Sequence, residues 1–264
     1  MSARGATFGT SKFEFMPGQP LVSVITVVYN ASAVIDRTMR SVVAQTWPNL
    51  EHIIIDGASK DDTLNKVRTF QHHRLHVYSE PDKGIYDAMN KGIERSKGEY
   101  LIFMNAGDEF YANDVLEKML LEPGHDFYFG NTMVVNDTGR ELGERRLHPP
   151  KNLNWKSLRF GMCVSHQSIL VSKMVCVPYD LKYRISGDID WTIRVLKNSK
   201  RVCDSGIFVS KFLEGGVSSS RRKQGLKERF IILSDHYGLV PTIMNHIYIL
   251  FRFVWHKITR QSMT

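Results

Sequence analysis

The chain has 264 residues, 42% of them hydrophobic, which is enough to bury the core of one large α/β domain or two small ones. Its three cysteines (Cys163, Cys176 and Cys203) form no CxxC pair and have no metal-ligand spacing, which argues against a zinc site and favours reduced thiols in a cytosolic protein. The net charge of +8 is concentrated after Lys200 and indicates an anionic partner, either a lipid, a phosphorylated substrate or a nucleic acid.

The N-terminal stretch does not have the pattern of a signal peptide. Residues 1–20 contain Phe13, Phe15 and Met16 but no continuous apolar run, and they are rich in Gly, Ser, Thr and Pro. We therefore expect a flexible lead-in over 1–20 and a first ordered element near Leu21.

Strand and helix patterns alternate over the next 84 residues. Short β-branched runs predict strands, and apolar residues at helical spacing predict helices. The predicted elements are a strand at 22–29, a helix within 32–46, a strand at 51–56, a helix ending near 70, a strand at 75–78, a helix at 85–96 and a strand at 100–104. This order predicts an α/β fold with a mostly parallel sheet flanked by helices.

Polar clusters follow three of these strands directly. They are Tyr29-Asn30, Asp56-Gly57 and Asn105–Asp108. Ligands of parallel sheets bind outside the carboxyl ends of the strands. We therefore expect the three clusters to converge on one crevice.

The second half of the chain is less regular. Phe127–Val135 reads as a strand interrupted at Gly130, and residues 136–139 read as a turn. Further strands are predicted at 168–172 and 207–212, and a helix begins near Asp190.

The C-terminal region combines basic and apolar residues. From Lys200 onward there are eleven Lys and Arg against four acidic residues. Residues 242–259 are apolar and aromatic but are interrupted by Arg252, and they fall short of the roughly 20 apolar residues of a spanning helix. They predict an amphipathic helix lying on a lipid surface, with an ordinary packing helix as the alternative.

Two carboxylates at strand ends are candidates for chemistry. Asp56 could shape its turn or cap the next helix, or it could accept a hydrogen bond from a nucleobase while Gly57 allows close approach. Asp108 could be a turn residue, or it could hold Mg²⁺ or Mn²⁺ together with diphosphate oxygens. Glu109 would point to the opposite side of the strand and ranks second.

A second group of candidates follows in the C-terminal half. Asp188, preceded by Gly187, is the candidate general base, and Asp190 is a supporting or capping residue. His166-Gln167 opens a strand and is either structural or in contact with substrate. Residues 215–220, followed by the basic cluster 221–223, are typical of a phosphate-binding loop.

Several of these segments together resemble a known family. Ser23–Asn30, Ile53–Asp62 and Asn105–Asp108 resemble the signature regions of family 2 glycosyltransferases with the GT-A fold. Residues 79–93 (SEPDKGIYDAMNKGI), with Ser165–Gln167 and Glu214–Ser218, resemble the subgroup of colanic acid and exopolysaccharide glycosyltransferases. The resemblance spans roughly residues 20–220.

The resemblance implies a catalytic domain over 21–220, a helical extension over 221–264, and an inverting transfer from a nucleotide sugar to a lipid-linked saccharide at the inner face of the cytoplasmic membrane. It implies Asp188 as the base, Asp108 as the ligand of Mg²⁺ or Mn²⁺, and Asp190, His166 and Gln167 as acceptor-binding or supporting residues. The candidate donor-binding residues are Tyr29, Asn30, Asp56, Gly57, Gly84, Asp87, Asn105 and Arg221.

The chain departs from the family pattern at two positions. The usual DxD is reduced to Asn105-x-x-Asp108, which predicts modest metal affinity. Met89 stands where the broader family often has Arg, so the 221–223 cluster is the candidate for the nucleotide phosphates.

Three alternatives remain open at this stage. A nucleotide-dependent oxidoreductase would need G-x-G-x-x-G after the first strand, and residues 29–33 contain no glycine. A nucleic-acid-binding protein would explain the basic C-terminal quarter. A non-catalytic relative would follow if the missing carboxylate abolished metal binding.

Overall fold

The computed structural model describes residues 19–70, 74–215 and 221–261. For residues 250 and 252–261 it describes the backbone only. The predicted lead-in over 1–20 lies almost entirely outside the described residues. Residues 216–220 of the predicted phosphate-binding loop also lie outside them.

The first half of the chain alternates strands and helices, as the sequence predicted. Every side chain of the first two strands is buried, which is typical of parallel strands covered on both faces. The elements are β1 (Val22–Val28), α1 (Ile35–Val43), β2 (Leu50–Asp56), α2 (Thr63–Thr69), β3 (Leu75–Ser79), α3 (Ile85–Arg95) and β4 (Tyr100–Phe103).

The second half adds five strands, four helices and two short 3₁₀ helices in the described residues. They are β5 (Glu109–Phe110), α4 (Val115–Met119), β6 (Phe127–Val135), β7 (Glu141–Glu144), 3₁₀ turns at Trp155–Phe160 and His166–Ser168, β8 (Ile169–Ser172), α5 (Gly187–Asn198), β9 (Val202–Leu213), α6 (Arg222–Tyr237) and α7 (Leu239–Gln261).

Within the described ranges, nine strands form one mixed sheet in the order β3-β2-β1-β4-β8-β6-β9-β5, with β7 paired to β6. Strands β1 to β4 are parallel, whereas β8 runs antiparallel to β4 and β6. Val28 lies opposite Asp56, and Asp56 lies opposite Ser79, so the carboxyl ends of β1, β2 and β3 are level. The predicted α/β class with flanking helices is confirmed, and the antiparallel pairings make the sheet mixed in its second half.

The interruption predicted at Gly130 is a register shift between β6 and β9. The register changes between Phe129 and Asn131. A Cβ at Gly130 would lie 2.6 Å from the carbonyl oxygen of Ile207, so only glycine allows the two backbones to approach this closely.

Both faces of the sheet are packed. Ile25 and Val27 of β1 belong to one hydrophobic cluster, and the alternate residues Val22 and Val24 belong to another. Trp191 of α5 is fully buried and packs edge-on against a strand residue, Phe103, with ring centroids 5.7 Å apart. Helix α5 is therefore fixed to the sheet directly beside the end of β4.

The two C-terminal helices differ in their packing. Ile232 and Leu233 of α6 are buried in the main core. In α7, Val240, Met244 and Ile247 follow helical spacing and are 67%, 64% and 62% exposed. Among the residues that the structure describes, no helix is both long enough and apolar enough to cross a bilayer.

Candidate active site

One large cavity, of about 1840 Å³, lies at the carboxyl ends of β1 and β4 and is also lined by residues of α5, α6 and α7. It brings together eight of the predicted site residues: Tyr29, Gly84, Asn105, Asp108, His166, Gln167, Asp188 and Arg221. Five others do not line it: Asn30, Asp56, Gly57, Asp87 and Asp190. The predicted convergence of strand ends is thus confirmed for β1 and β4.

Asp108 is held in the cavity wall by two hydrogen bonds. The amide nitrogen of Leu213 donates to its Oδ1 at 3.0 Å, and Nε2 of Gln167 donates to its Oδ2 at 2.6 Å. Burial raises the pKa of Asp108 to about 7, and the two donors only partly oppose this. Glu109 is directed elsewhere, since it forms an ion pair with Arg37 at 2.8 Å.

Two buried polar atoms in the same wall have no hydrogen-bond partner among the described residues. They are Oδ1 of Asn105 and Nε2 of His166. Burial lowers the pKa of His166 to about 4, so its imidazole is neutral at pH 7 and can act as a ligand. The carboxylate of Asp108 and the amide oxygen of Asn105 are hard oxygen donors of the kind that Mn²⁺ or Mg²⁺ prefers. The residues present therefore fit a divalent cation.

Asp188 lies in the first turn of α5 and lines the cavity. Gly187 before it is required by packing, because a Cβ there would lie 2.8 Å from the ring of Tyr86. The Tyr86 hydroxyl accepts a hydrogen bond from the amide of Asp188 at 3.3 Å. Burial raises the pKa of the Asp188 carboxyl above its ordinary value, and the nearby charge of Arg145 partly offsets this. A cavity carboxyl with a raised pKa is the expected property of a general base.

The segment before Asp188 is held by a residue that sequence reasoning missed. The carboxylate of Glu228, on α6, accepts hydrogen bonds from the amides of Arg184, Ile185 and Ser186 at 3.1, 2.8 and 3.0 Å. No local signal marks Glu228, because its partners are more than forty residues away in sequence. We regard Glu228 as a positioning residue for Asp188.

Replacing Glu228 with Gln is expected to lower the free energy of unfolding by about 1–3 kcal/mol at pH 7, since a neutral amide accepts these three bonds less well. Burial would raise the pKa of Glu228, but the backbone donors outweigh it and the pKa is lowered. The stabilisation is therefore present above the unfolded pKa of about 4.3 and is lost as pH falls below it. Chemical denaturation at pH 7 and pH 4 measures this, with the exposed Glu94→Gln as control. If Glu228→Gln lowered the free energy of unfolding equally at pH 7 and pH 4, the charge of Glu228 would not be the source of the stabilisation.

Asp190 lies outside the cavity and links two helices. It forms ion pairs with Arg194 at 2.7 Å and with His236 of α6 at 2.9 Å. Burial alone would raise its pKa, but these partners outweigh burial and the pKa is lowered. The structure therefore places Asp190 in a supporting position rather than in contact with the cavity.

The residues around the end of β2 organise loops beside the cavity. Asp56 is fully buried and accepts hydrogen bonds from the Ser59 amide at 3.1 Å and the Ser79 hydroxyl at 2.7 Å. This is the turn-shaping role that the sequence left open. A Cβ on Gly57 would lie 2.3 Å from a carboxylate oxygen of Asp82, which lines the cavity. The base contact of Asp56 and Gly57 stays a prediction.

Three further predicted donor residues have distinct environments. Tyr29 is 61% exposed at the cavity mouth, and Asn30 next to it has a positive φ of 48°. Gly84, with φ 121°, starts α3 at the cavity wall. Asp87 instead accepts a hydrogen bond from the Lys83 amide at 2.9 Å, which stabilises the start of that helix.

The cavity carries an excess of positive charge. Its acidic side chains are Asp82, Asp108, Asp188 and Glu214. Its Lys and Arg residues are Lys83, Arg145, Arg146, Arg184, Arg221, Arg222 and Arg229. None of these seven forms an ion pair within the described part of the chain. The cavity is therefore suited to an anionic ligand.

The mixed α/β sheet flanked by helices, with a cavity at its strand ends, is the GT-A fold. Residues 23–175 match the family described as Glycosyl transferase family 2. The chain belongs to this family and is a glycosyltransferase, which confirms the resemblance; the narrower resemblance to colanic acid enzymes stays a prediction.

Two relatives are named as biosynthetic glycosyltransferases. A PGL/p-HBAD biosynthesis glycosyltransferase of Mycobacterium tuberculosis is 29% identical over 76% of this chain and 80% of its own length. TuaG of Bacillus subtilis, named for teichuronic acid biosynthesis, is 36% identical over 59% of this chain and 63% of its own length.

Solved structures share the fold at low identity. TarS of Staphylococcus aureus in complex with UDP has a TM-score of 0.66 and 16% identity, and the match covers 81% of this chain and 64% of the TarS fragment. The mannosyltransferase PcManGT of Pyrobaculum calidifontis, in complex with GDP-Man and Mn²⁺, has a TM-score of 0.59 and 17% identity over 86% of this chain and 74% of that chain.

Proposed function

We infer that the protein transfers a sugar, with inversion, from a nucleotide-sugar donor to a hydroxyl of a lipid-linked saccharide in bacterial surface polysaccharide biosynthesis. The observation that carries this proposal is that Asp188 and Asp108 share one cavity with seven basic side chains that form no ion pair in the described residues. The names of two relatives, for PGL/p-HBAD and teichuronic acid biosynthesis, support the pathway class.

In the proposed reaction Asp188 accepts the proton of the acceptor hydroxyl. The hydroxyl oxygen forms a new bond to the anomeric carbon while the bond from that carbon to the diphosphate oxygen breaks. The bonding electrons leave with the nucleoside diphosphate, and Asp188 ends the step protonated. Attack from the face opposite the leaving group inverts the anomeric configuration.

The donor diphosphate would lie at the Asp108 side of the cavity. Tyr29, Gly84, Asn105 and Arg221 line the same space and are the proposed donor contacts. Asp108, with Asn105, would hold Mg²⁺ or Mn²⁺, which would supply charge neutralisation for the leaving diphosphate. UDP in the TarS complex and GDP-Man with Mn²⁺ in the PcManGT complex support this assignment.

A donor panel tests the function. UDP-, GDP- and dTDP-sugars are supplied with Mn²⁺ or Mg²⁺ and a lipid-linked saccharide extract, and release of nucleoside diphosphate is measured. We expect turnover with one donor class, and NMR of the product should show the inverted anomeric configuration. Retention of configuration would overturn the single displacement, and no turnover with any donor would overturn the assigned reaction.

We place the protein in the cytoplasm, peripherally associated with the inner membrane face through its C-terminal extension. Val240, Met244 and Ile247 form an exposed apolar stripe on α7. The surrounding C-terminal quarter is strongly basic. Apolar side chains beside basic ones are the pattern of a helix that lies at the headgroup level of anionic lipid.

Replacing Met244 and Ile247 with Asp is expected to reduce binding to anionic vesicles at least fivefold, because two charges would enter the acyl boundary. Flotation with phosphatidylglycerol-containing vesicles measures the bound fraction. Met174→Asp is the matched control, since Met174 is 94% exposed and lies outside α7. Unchanged flotation of the double variant would contradict membrane association through this stripe.

A further inference from the structure

Two arginines in the cavity wall have neither a described carboxylate partner nor a role in the reaction proposed above. They are Arg145, directly after β7, and Arg229 on α6. Arg145 is half-buried, and Nε of Arg229 is fully buried without a hydrogen-bond partner in the described residues. A guanidinium removed from water without an ion-pair partner is unfavourable, so a site of this kind is suited to an added anion.

Both arginines line the cavity, and the chain that follows Arg145 approaches Arg229. A Cβ on Gly161 would lie 3.4 Å from a guanidinium nitrogen of Arg229 and 3.9 Å from Leu147, two residues after Arg145. The segment between Arg145 and Gly161 thus turns toward α6. Burial lowers the pKa of both guanidinium groups, which nonetheless stay protonated at neutral pH.

Their position favours the acceptor over the donor. Arg229 directly follows Glu228, whose carboxylate binds the amides of residues 184–186 just before Asp188. The charge of Arg145 also acts on Asp188, the residue that must meet the acceptor hydroxyl. Arg221, by contrast, follows the loop after β9, whose last residue Leu213 binds Asp108. The cavity therefore has a cationic region beside the base in addition to the one expected beside the diphosphate.

The wall next to these arginines is apolar and leads to α7. Leu147, Phe160, Tyr248 and Ile249 line the cavity there, and the rings of Phe160 and Tyr248 are 5.8 Å apart. Tyr248 directly follows Ile247 of the exposed stripe. An anion bound at the arginines would thus be adjacent to a hydrophobic path that ends at the proposed membrane-facing surface.

We propose that Arg145 and Arg229 form an acceptor-side anion subsite that binds a phosphate of the lipid carrier, with the apolar wall receiving the first part of the lipid chain. This inference rests on the proposed function, because it names the chemical class of the acceptor. A carboxylate on the acceptor sugar would offer similar oxygens, but it would leave the apolar wall unused.

A binding experiment tests the subsite without requiring turnover. Farnesyl phosphate is titrated into full-length protein, both nucleotide-free and in the presence of saturating UDP, and glucuronate is titrated in a parallel arm. We expect farnesyl phosphate to bind the UDP-loaded protein, and Arg229→Gln or Arg145→Gln to weaken it at least tenfold while Arg229→Lys retains most of the affinity. Arg140→Gln is the charge-matched control, since Arg140 is exposed and does not line the cavity.

Three outcomes would overturn the proposal. Competition between UDP and farnesyl phosphate would assign the arginines to the donor diphosphate. Arginine-dependent binding of glucuronate alone would assign them to a sugar carboxylate. The subsite would be refuted if Arg229→Gln bound farnesyl phosphate as tightly as the wild type. Melting temperature and UDP affinity would show that the variant is folded. Failure of the donor panel would leave this binding result standing, so the two proposals fail separately.

Discussion

Asp188→Asn is expected to reduce sugar transfer by a factor on the order of 10²–10⁴ while donor binding is retained. Asn has nearly the same shape and can still accept the hydrogen bond that the Ile189 amide donates to Oδ1 at 3.0 Å. It cannot accept the proton of the acceptor hydroxyl. The measurement is kcat with the lipid-linked acceptor, together with donor affinity by calorimetry.

The pH dependence gives a second signature of the same residue. Burial raises the pKa of Asp188, so the wild-type rate should rise with pH through a value above that of an ordinary aspartate and then level off. Asp190→Asn is the control on the same helix. This variant loses the ion pairs with Arg194 and His236 and should be less stable. The rise of its rate with pH on the acidic side should match that of the wild type. Full activity of Asp188→Asn would refute the assignment.

The alternating strands and helices of the first half could be predicted because their sequence signals are local. The predicted strand at 51–56 is β2 (Leu50–Asp56), and the predicted helix at 85–96 is α3 (Ile85–Arg95). Apolar periodicity and turn residues determine such elements from their own sequence. The rule that parallel strands end at one edge was then enough to bring Asn105 and Asp108 to a cavity.

The remaining features depend on contacts between distant segments. The antiparallel position of β8 between β4 and β6 has no local sequence signal. Glu228 looks like any helical glutamate until its three amide partners are seen. The lone-histidine pattern of His166 did not reveal that Nε2 would be buried without a partner. Asp190 matched the pattern of a site carboxylate, but the helical rotation that places Asp188 in the cavity directs Asp190 toward His236.

Replacing Asp108 with Asn is expected to lower activity by a factor on the order of 10²–10³ and to remove its dependence on divalent cation, because the one carboxylate of the proposed diphosphate side is lost. The same change should stabilise the cation-free protein. Burial raises the pKa of Asp108 to about 7, so the folded state binds more protons than the unfolded state between about pH 4 and pH 7. The contribution of Asp108 to the free energy of unfolding therefore falls as pH rises through that window. An amide at this position carries no charge and avoids this loss.

Opposite changes in stability and activity distinguish this role from a structural one. A turn-only aspartate would lose stability on substitution, whereas a buried ligand held for its charge loses function and gains stability. Thermal unfolding at pH 8 with and without MnCl₂, alongside turnover, measures both. Glu109→Gln is the adjacent control, since Glu109 pairs with Arg37 and should keep cation-dependent turnover. Mn²⁺-stimulated transfer by Asp108→Asn at the wild-type rate would exclude Asp108 as the cation ligand.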